Sequence, residues 1–258
     1  MDPLVLLHGF GGRGSSWDSV LTALMEVGLD QPVDGWSPDL PGHGSSKNVR
    51  PESFEATVKA LGRSIAERYD RPVVLAGYSL GGRLALGVAL EHPRLIRHLI
   101  LIGTQPGLVI TAERRARADV DAKAAERLQR QGLEAFFTEW QQQPLFADQN
   151  RLPGEVLVRQ RRTRMSNDVA GLAWALKVLS PGLMPDYRAR LLSWSAAPVT
   201  MVTGEDDTKF HAIADEMSRR SDHIEHRSVP RCGHNPLLAD PAAVARILAR
   251  ILNREADA

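Results

Sequence analysis

The chain has 258 residues, 43% hydrophobic, 24% charged and 5% aromatic, with 32 basic against 31 acidic side chains for a formal charge of +1. Counted with glycine, the apolar share is about 50%, the level of a folded globular chain and too high for a disordered one. A near-neutral balance excludes nucleic-acid binding driven by net charge, and no run approaches the roughly 20 unbroken apolar residues that span a bilayer.

In chain order, the N-terminus lacks a basic n-region and a long apolar stretch, so it predicts no signal peptide. The first element is a strand at Leu4–Leu7, ending in His8-Gly9-Phe10-Gly11-Gly12. A glycine-rich turn at a strand end can point a backbone N–H, here that of Phe10, into a pocket. A helical pattern follows over Trp17–Val27, then a weaker strand signal around Trp36–Leu40 that runs into Asp39-Leu40-Pro41-Gly42-His43-Gly44. The next helix is Phe54–Tyr69. A buried strand, Val73–Ala76, then leads through Gly77-Tyr78-Ser79-Leu80-Gly81-Gly82-Arg83 directly into a helix over Leu80–Glu91. Strand, Gly-x-Ser-x-Gly and helix in immediate succession form the sequence signature of a nucleophile elbow. The N–H of Leu80 pairs with that of Phe10 as a candidate oxyanion hole. Arg83, one turn beyond the serine, falls at the pocket wall or floor.

After a strand at Leu99–Ile102 the alternation stops. From about Thr111 to about Arg190 only helical patterns occur, among them Ala112–Gln131, Leu133–Gln142, Gly154–Arg164 and Ala170–Leu179. An all-helical insertion between sheet strands predicts a cap over the strand ends, at about 108–190, on a single domain spanning 1–258. Between Thr111 and Arg164 there are ten arginines and one lysine against eight acidic residues, a local +3. Arginine forks over a serine pocket suit a substrate carrying several carboxylates.

Strands resume at Val199–Val202 and Ile224–Val229. The first ends in Gly204-Glu205-Asp206-Asp207 and the second precedes Cys232-Gly233-His234-Asn235, before helices at Ala212–Arg219 and Pro241–Leu252. A lone cysteine excludes an internal disulfide and suits a reducing compartment, so a cytoplasmic protein is expected. Of the eight histidines, His234 lies in a loop after a strand, where an imidazole can reach a serine at the sheet's carboxyl end. It is the candidate base. Asp207 is the candidate orienting acid, since serine, acid, histidine is the chain order this arrangement uses. His8 and His43 belong to glycine turns and are read as structural. The strands are mostly Val/Leu/Ile blocks, as for strands buried on both faces, so the expected class is α/β with a mostly parallel sheet flanked by helices.

His-Gly-Phe, Asp39-Leu-Pro-Gly-His-Gly44, Gly-Tyr-Ser-Leu-Gly-Gly, Gly-Glu-x-Asp and Gly-His-Asn, in this order, resemble the α/β-hydrolase superfamily over nearly the whole chain. That resemblance places the cap after the sixth superfamily strand and implies that the superfamily's N-terminal hairpin strands are missing. At finer grain the cap motifs resemble the 2-succinyl-6-hydroxy-2,4-cyclohexadiene-1-carboxylate synthases of menaquinone biosynthesis. The matching residues in the cap are Pro106-Gly-Leu108, Ala112-Glu-Arg-Arg115, Phe137-Thr-Glu-Trp140-Gln-Gln-Gln-Pro144-Leu-Phe146, Arg164-Met-Ser166 and Gly171-Leu-Ala173, and outside it Gly77-Tyr-Ser-Leu-Gly-Gly-Arg83 and Gly204-Glu-Asp-Asp207-Thr-Lys-Phe210. This resemblance implies a lyase that removes a ring proton and expels pyruvate, with no cofactor or metal. It also implies that Arg83, Arg115 and Arg164 hold carboxylates and that Tyr78 and Trp140 contact the substrate, in a monomer or homodimer. Where such synthases commonly continue Gly-His-Asn with a second histidine and a glutamate, this chain has Pro236-Leu-Leu-Ala-Asp240, as in ordinary hydrolases. A carboxylesterase or thioesterase using the same triad for acyl transfer therefore stands as the alternative, and a non-catalytic receptor on the same scaffold as a third reading.

Overall fold

The computed structural model describes residues 2–253. Its ten helices and six strands run in chain order as β1 (Asp2–Leu7), α1 (Asp18–Val27), β2 (Val33–Trp36), α2 (Phe54–Arg68), β3 (Val73–Tyr78), α3 (Leu80–Glu91) and β4 (Ile96–Ile102). They continue as α4 (Thr111–Trp140), α5 (Gly154–Met165), α6 (Val169–Val178), α7 (Arg188–Leu192), β5 (Val199–Gly204), α8 (Thr208–Arg220), β6 (Ile224–Val229), α9 (Pro236–Ala239) and α10 (Pro241–Asn253).

Every strand pairing is parallel, and the sheet order is β2-β1-β3-β4-β5-β6. Successive side chains of a strand point to opposite faces, so each buried strand feeds two cores. Val5, Leu7, Val73, Leu75, Leu99 and Leu101 face α2, α3 and α8 through Val58, Leu61, Leu84, Val88 and Met217. Leu4, Leu6, Val74, Ala76, Ile100 and Ile102 face α1 and α10 through Trp17, Val20, Leu24, Val244 and Leu248. β3 lies between β1 and β4, which sets its carboxyl end near the middle of the sheet, and all six of its residues are buried.

One strand lies earlier than the sequence predicts. β2 is Val33–Trp36, not Trp36–Leu40. As an edge strand it is only half buried, so it needs no Val/Leu/Ile block. The expected run contains Pro38 and is followed at once by Pro41, neither of which can donate to a ladder. β2 is the edge on that side of the described sheet, and no hairpin precedes β1 among the described residues.

Helices α4 to α7 fall between β4 and β5. The long α4 is broken at Gly132, whose φ of 78° and ψ of 176° leave the helical region, so it is two helices meeting at a glycine, at the boundary the sequence pattern shows. Its inward stripe of Ala124, Ala125 and Leu128, with Phe136 and Phe137, packs on Leu172, Ala173 and Leu176 of α6 in a separate third core. Asp168 caps α6 by accepting from the Gly171 N–H at 2.8 Å. By contrast Met184, Tyr187 and Leu191 join the core beneath the sheet, so α7 packs on the body. No described helix is long and apolar enough to cross a membrane.

Candidate active site

Ser79 sits between β3 and α3 with φ 51° and ψ −106°, torsions that cost a residue with a side chain strain energy. The turn holds because its neighbours give way. A Cβ on Gly77 would meet the Gly81 backbone, and one on Gly81 would meet the Leu7 carbonyl. The Ser79 N–H donates to the Ile102 carbonyl at 2.8 Å, tying the elbow to β4. As the first residue of α3, Leu80 has an N–H with no partner inside the helix, and it lies beside the serine.

His234 reaches the serine from the loop after β6. Ser79 Oγ is 3.2 Å from His234 Nε2, and His234 Nδ1 is 2.7 Å from Asp207 Oδ2. Because the carboxylate only accepts, Nδ1 carries the proton and Nε2 is left free to accept from the serine hydroxyl. The imidazole and the Asp207 carboxylate are both buried, and the Phe210 ring lies 4.5 Å from the imidazole, shielding the pair from water. Asp207 immediately precedes α8, and its neighbours Glu205 and Asp206 are exposed at the loop tip.

His8 and His43 brace the opposite wall. The Leu40 N–H donates to His8 Nε2 at 2.9 Å, which leaves Nδ1–H facing the Gly9 carbonyl at 2.8 Å. In the same manner the Gly11 N–H donates to His43 Nε2 at 3.2 Å, with His43 Nδ1 3.1 Å from the Pro41 carbonyl. Burial pushes the pKa of His8 down to about 4 and that of His43 down to about 3, the latter helped by the neighbouring His8. Both rings are thus neutral hydrogen-bonding struts for the Gly9–Gly12 turn. Asp39 completes this wall. Burial favours its neutral form, but the Ser45 and Gly14 N–H groups and Arg13 outweigh that and hold it well below the usual carboxylate range.

These parts open on one cavity of about 800 Å³ between the strand ends and α4 to α6. Of the residues singled out from sequence, Ser79, His234, Phe10, Leu80, Tyr78, Arg83, Trp140 and Arg164 line it, with Asp207 one layer behind His234. Arg83 is half-buried at the cavity wall and donates to the Leu179 carbonyl at 2.6 Å. Burial, reinforced by the nearby Arg117, lowers its pKa to about 9, against the opposing pull of Asp121. Arg164 is buried over the Phe137 ring at 5.1 Å, and burial lowers its pKa to about 10. Both guanidiniums are held in low dielectric with little neutralisation, a setting that favours an incoming carboxylate. Trp140 stacks on Phe136 at 5.4 Å and lies 5.2 Å from Phe10, joining the cap to the turn that carries the Phe10 N–H. Burial also raises the Tyr78 phenol far above its ordinary value, so it stays protonated.

Arg115 is the exception. It is exposed on α4 and does not line the cavity, whereas Arg117 does. Helical spacing carries this information: 117, 121, 124, 125 and 128 share one stripe, and residue 115 lies about 200° around the helix from residue 117. Arg117 donates to the buried Asp121 at 2.8 Å, and Asp121 also accepts from Ser180 at 2.6 Å. Arg159, Arg162, Lys209 and Gln149 line the cavity as well and carried no signal of their own in sequence. Among the described residues no cluster of His, Cys, Asp or Glu is placed to hold a metal ion.

A serine on a strained strand-to-helix elbow, a histidine–aspartate pair behind it and a helical cap above define an enzyme scaffold of the serine-hydrolase type. Residues 4–247 match the model of the alpha/beta hydrolase family. The 2-succinyl-6-hydroxy-2,4-cyclohexadiene-1-carboxylate synthase of Enterobacter sp. strain 638 is 39% identical over 249 residues, covering 96% of this chain and 91% of that protein. That of Klebsiella pneumoniae is 38% identical over 253 residues, covering 96% and 93%. The structure of MenH from S. aureus superposes with a TM-score of 0.89 at 30% identity, over 99% of this chain and 94% of that one. The chain belongs to the alpha/beta hydrolase family and, within it, to the 2-succinyl-6-hydroxy-2,4-cyclohexadiene-1-carboxylate synthases.

Proposed function

We propose that this protein is a carbon–oxygen lyase of menaquinone biosynthesis. It eliminates pyruvate from 2-succinyl-5-enolpyruvyl-6-hydroxy-3-cyclohexene-1-carboxylate to give 2-succinyl-6-hydroxy-2,4-cyclohexadiene-1-carboxylate. The observation that carries this reading is a serine–histidine–aspartate chain in the same cavity as the buried Arg164 and the half-buried Arg83 and Arg117. The substrate is a small molecule with three carboxylates, and a pocket meant only for a neutral ester has no need to hold such cations in low dielectric.

In this reading Ser79 acts as base. Its proton passes to His234 Nε2 as its oxygen takes the ring proton next to the succinyl carbonyl, and Asp207 holds the imidazolium so formed. Negative charge then builds on the succinyl ketone oxygen, where the N–H groups of Phe10 and Leu80 stabilise it. As the electrons return through the ring, the C–O bond to the enolpyruvyl group breaks. The leaving group departs as the enolate of pyruvate and takes up the proton held on the His234 imidazolium to become pyruvate, which returns His234 to its neutral form while Ser79, now carrying the ring proton, is again a hydroxyl. Arg83, Arg164 and Arg117 bind the carboxylates, and Tyr78 and Trp140 flank the ring. The substrate is the only partner this chemistry requires, and either a monomer or a homodimer satisfies it.

The test is the Ser79→Ala variant. Removing the base is expected to lower the rate of pyruvate release by about a hundredfold or more, with thermal stability unchanged. A variant that keeps most of the wild-type rate overturns the role given to Ser79. The cavity lining also includes the apolar Leu237, Leu238 and Val156, which suit an acyl chain and favour the esterase alternative, so ester turnover is measured beside pyruvate release.

A further inference from the structure

The segment Pro144–Arg151, a 3-10 stretch between α4 and α5, is the part of the cap that touches the triad's supporting loops. Asp148 Oδ2 accepts from the Gly233 N–H at 2.9 Å, and Gly233 directly precedes His234. Three residues further, Arg151 pairs with Asp206 at 3.2 Å, and Asp206 directly precedes Asp207. One cap segment thus reaches the residue just before the base and the residue just before the acid. Those two loops are also tied to each other, since the Asp206 N–H donates to the Cys232 carbonyl at 2.8 Å and the Arg231 N–H to Glu205 at 3.0 Å.

We infer that Asp148 is a positioning residue, a latch by which the cap sets the loop that carries His234. Three observations support it. The other oxygen, Oδ1, is buried and makes no hydrogen bond, so the carboxylate is held in this place at a desolvation cost that the Gly233 contact must offset. Residue 233 is a glycine where any Cβ would lie on the Asp148 carboxyl group, so the loop is shaped to let the carboxylate reach its backbone. The same segment presents Phe146 to the imidazole at 6.1 Å and lends Leu145 and Gln149 to the cavity wall, so a ligand against the cap bears on the element that holds the base loop. Cap docking and base alignment therefore form one mechanical unit.

The inference rests on the proposed reaction, because pyruvate release is its first readout. The test compares Asp148→Ala, Asp148→Asn and Gly233→Ala with wild type in three measurements. These are kcat and KM for pyruvate release, the rate at which a fluorophosphonate labels Ser79, and the thermal unfolding midpoint. In labelling, the serine oxygen attacks phosphorus, fluoride leaves and His234 takes the proton, so the rate reads the alignment of the pair without the natural substrate. Asp148→Ala is expected to lower kcat about tenfold with KM within about twofold, and to slow labelling in parallel. Asp148→Asn keeps an acceptor for the Gly233 N–H and is expected to restore most of both. Gly233→Ala displaces the same carboxylate from the other side and is expected to reproduce the alanine defect, which keeps the test decisive if Asp148→Ala is poorly folded. Unchanged kcat and labelling in Asp148→Ala, a rise in KM alone, or an asparagine variant as impaired as alanine each overturns the inference. If wild type labels well but releases no pyruvate, the proposed reaction fails, and the labelling rates alone then decide the latch.

Discussion

Under the proposed reaction, Arg83 is the residue that separates lyase from esterase chemistry on a shared scaffold. It stands one turn beyond the serine, half-buried in the cavity wall, with the Leu179 carbonyl as a hydrogen-bond partner and Arg117 nearby. A guanidinium in that position is a cost to the empty protein, recovered when a carboxylate arrives. Arg83→Ala is expected to lower kcat/KM for pyruvate release by about a hundredfold, the scale for losing one partner of a desolvated charge pair. Arg83→Lys should recover only part of this, because an ammonium lacks the planar fork. Turnover of a short neutral ester by the same variants is the control and should change little. Equal losses on both substrates would show that Arg83 supports the scaffold instead of the carboxylate.

At the level of elements, legibility follows burial. Strands β1, β3, β4 and β5 are buried on both faces, so each carries a largely apolar run, and β3 enters the serine elbow directly. The edge strand β2 is half exposed and carries Asp34 and Gly35, so nothing in its composition marks it. The break in α4 is legible because a glycine interrupts the pattern, whereas the 3-10 stretch at Pro144–Arg151 has no periodicity to read, and with it Asp148 and Gln149 are missed. The family likeness points to Arg115, whereas the apolar stripe of α4 turns residue 117 inward. The triad residues stand out because each sits at a strand end that the chain order of the fold anticipates, and their contacts join residues 79, 207 and 234. The wall opposite makes a pH prediction. His8 and His43 are neutral when folded, with pKa values near 4 and 3, below the value of about 6.5 in the unfolded chain. Between those limits the unfolded chain binds more protons, so stability rises with pH. The urea midpoint is expected to be flat above about pH 7 and to fall steadily from there towards pH 4. His43→Gln should make that fall shallower. A midpoint that is level from pH 7 to 4.5 would show that these rings do not carry the protonation cost.

Across the whole molecule, a net charge of +1 conceals a local excess of positive charge in the cap. Long-range steering of an anionic substrate is therefore modest, and the cations act within the cavity. Raising salt from about 0.05 to 0.5 M is expected to increase KM for pyruvate release several-fold and leave kcat nearly constant, because screening weakens capture more than chemistry inside a closed site. A fall in kcat alone would place the salt-sensitive step after binding. In the proposed mechanism the sheet supplies Ser79, Asp207 and His234 at its carboxyl edge, and the cap supplies charge, aromatic walls and the Asp148 contact to the loop of His234. The fold alone serves esterases and lyases alike, so the assignment of chemistry rests on the cap. The most direct measurement mixes the purified protein with freshly prepared enolpyruvyl substrate and follows pyruvate, with a parallel sample given a short activated ester. The account predicts rapid pyruvate release and poor ester turnover. Rapid ester cleavage without pyruvate release would contradict it and make the protein an esterase.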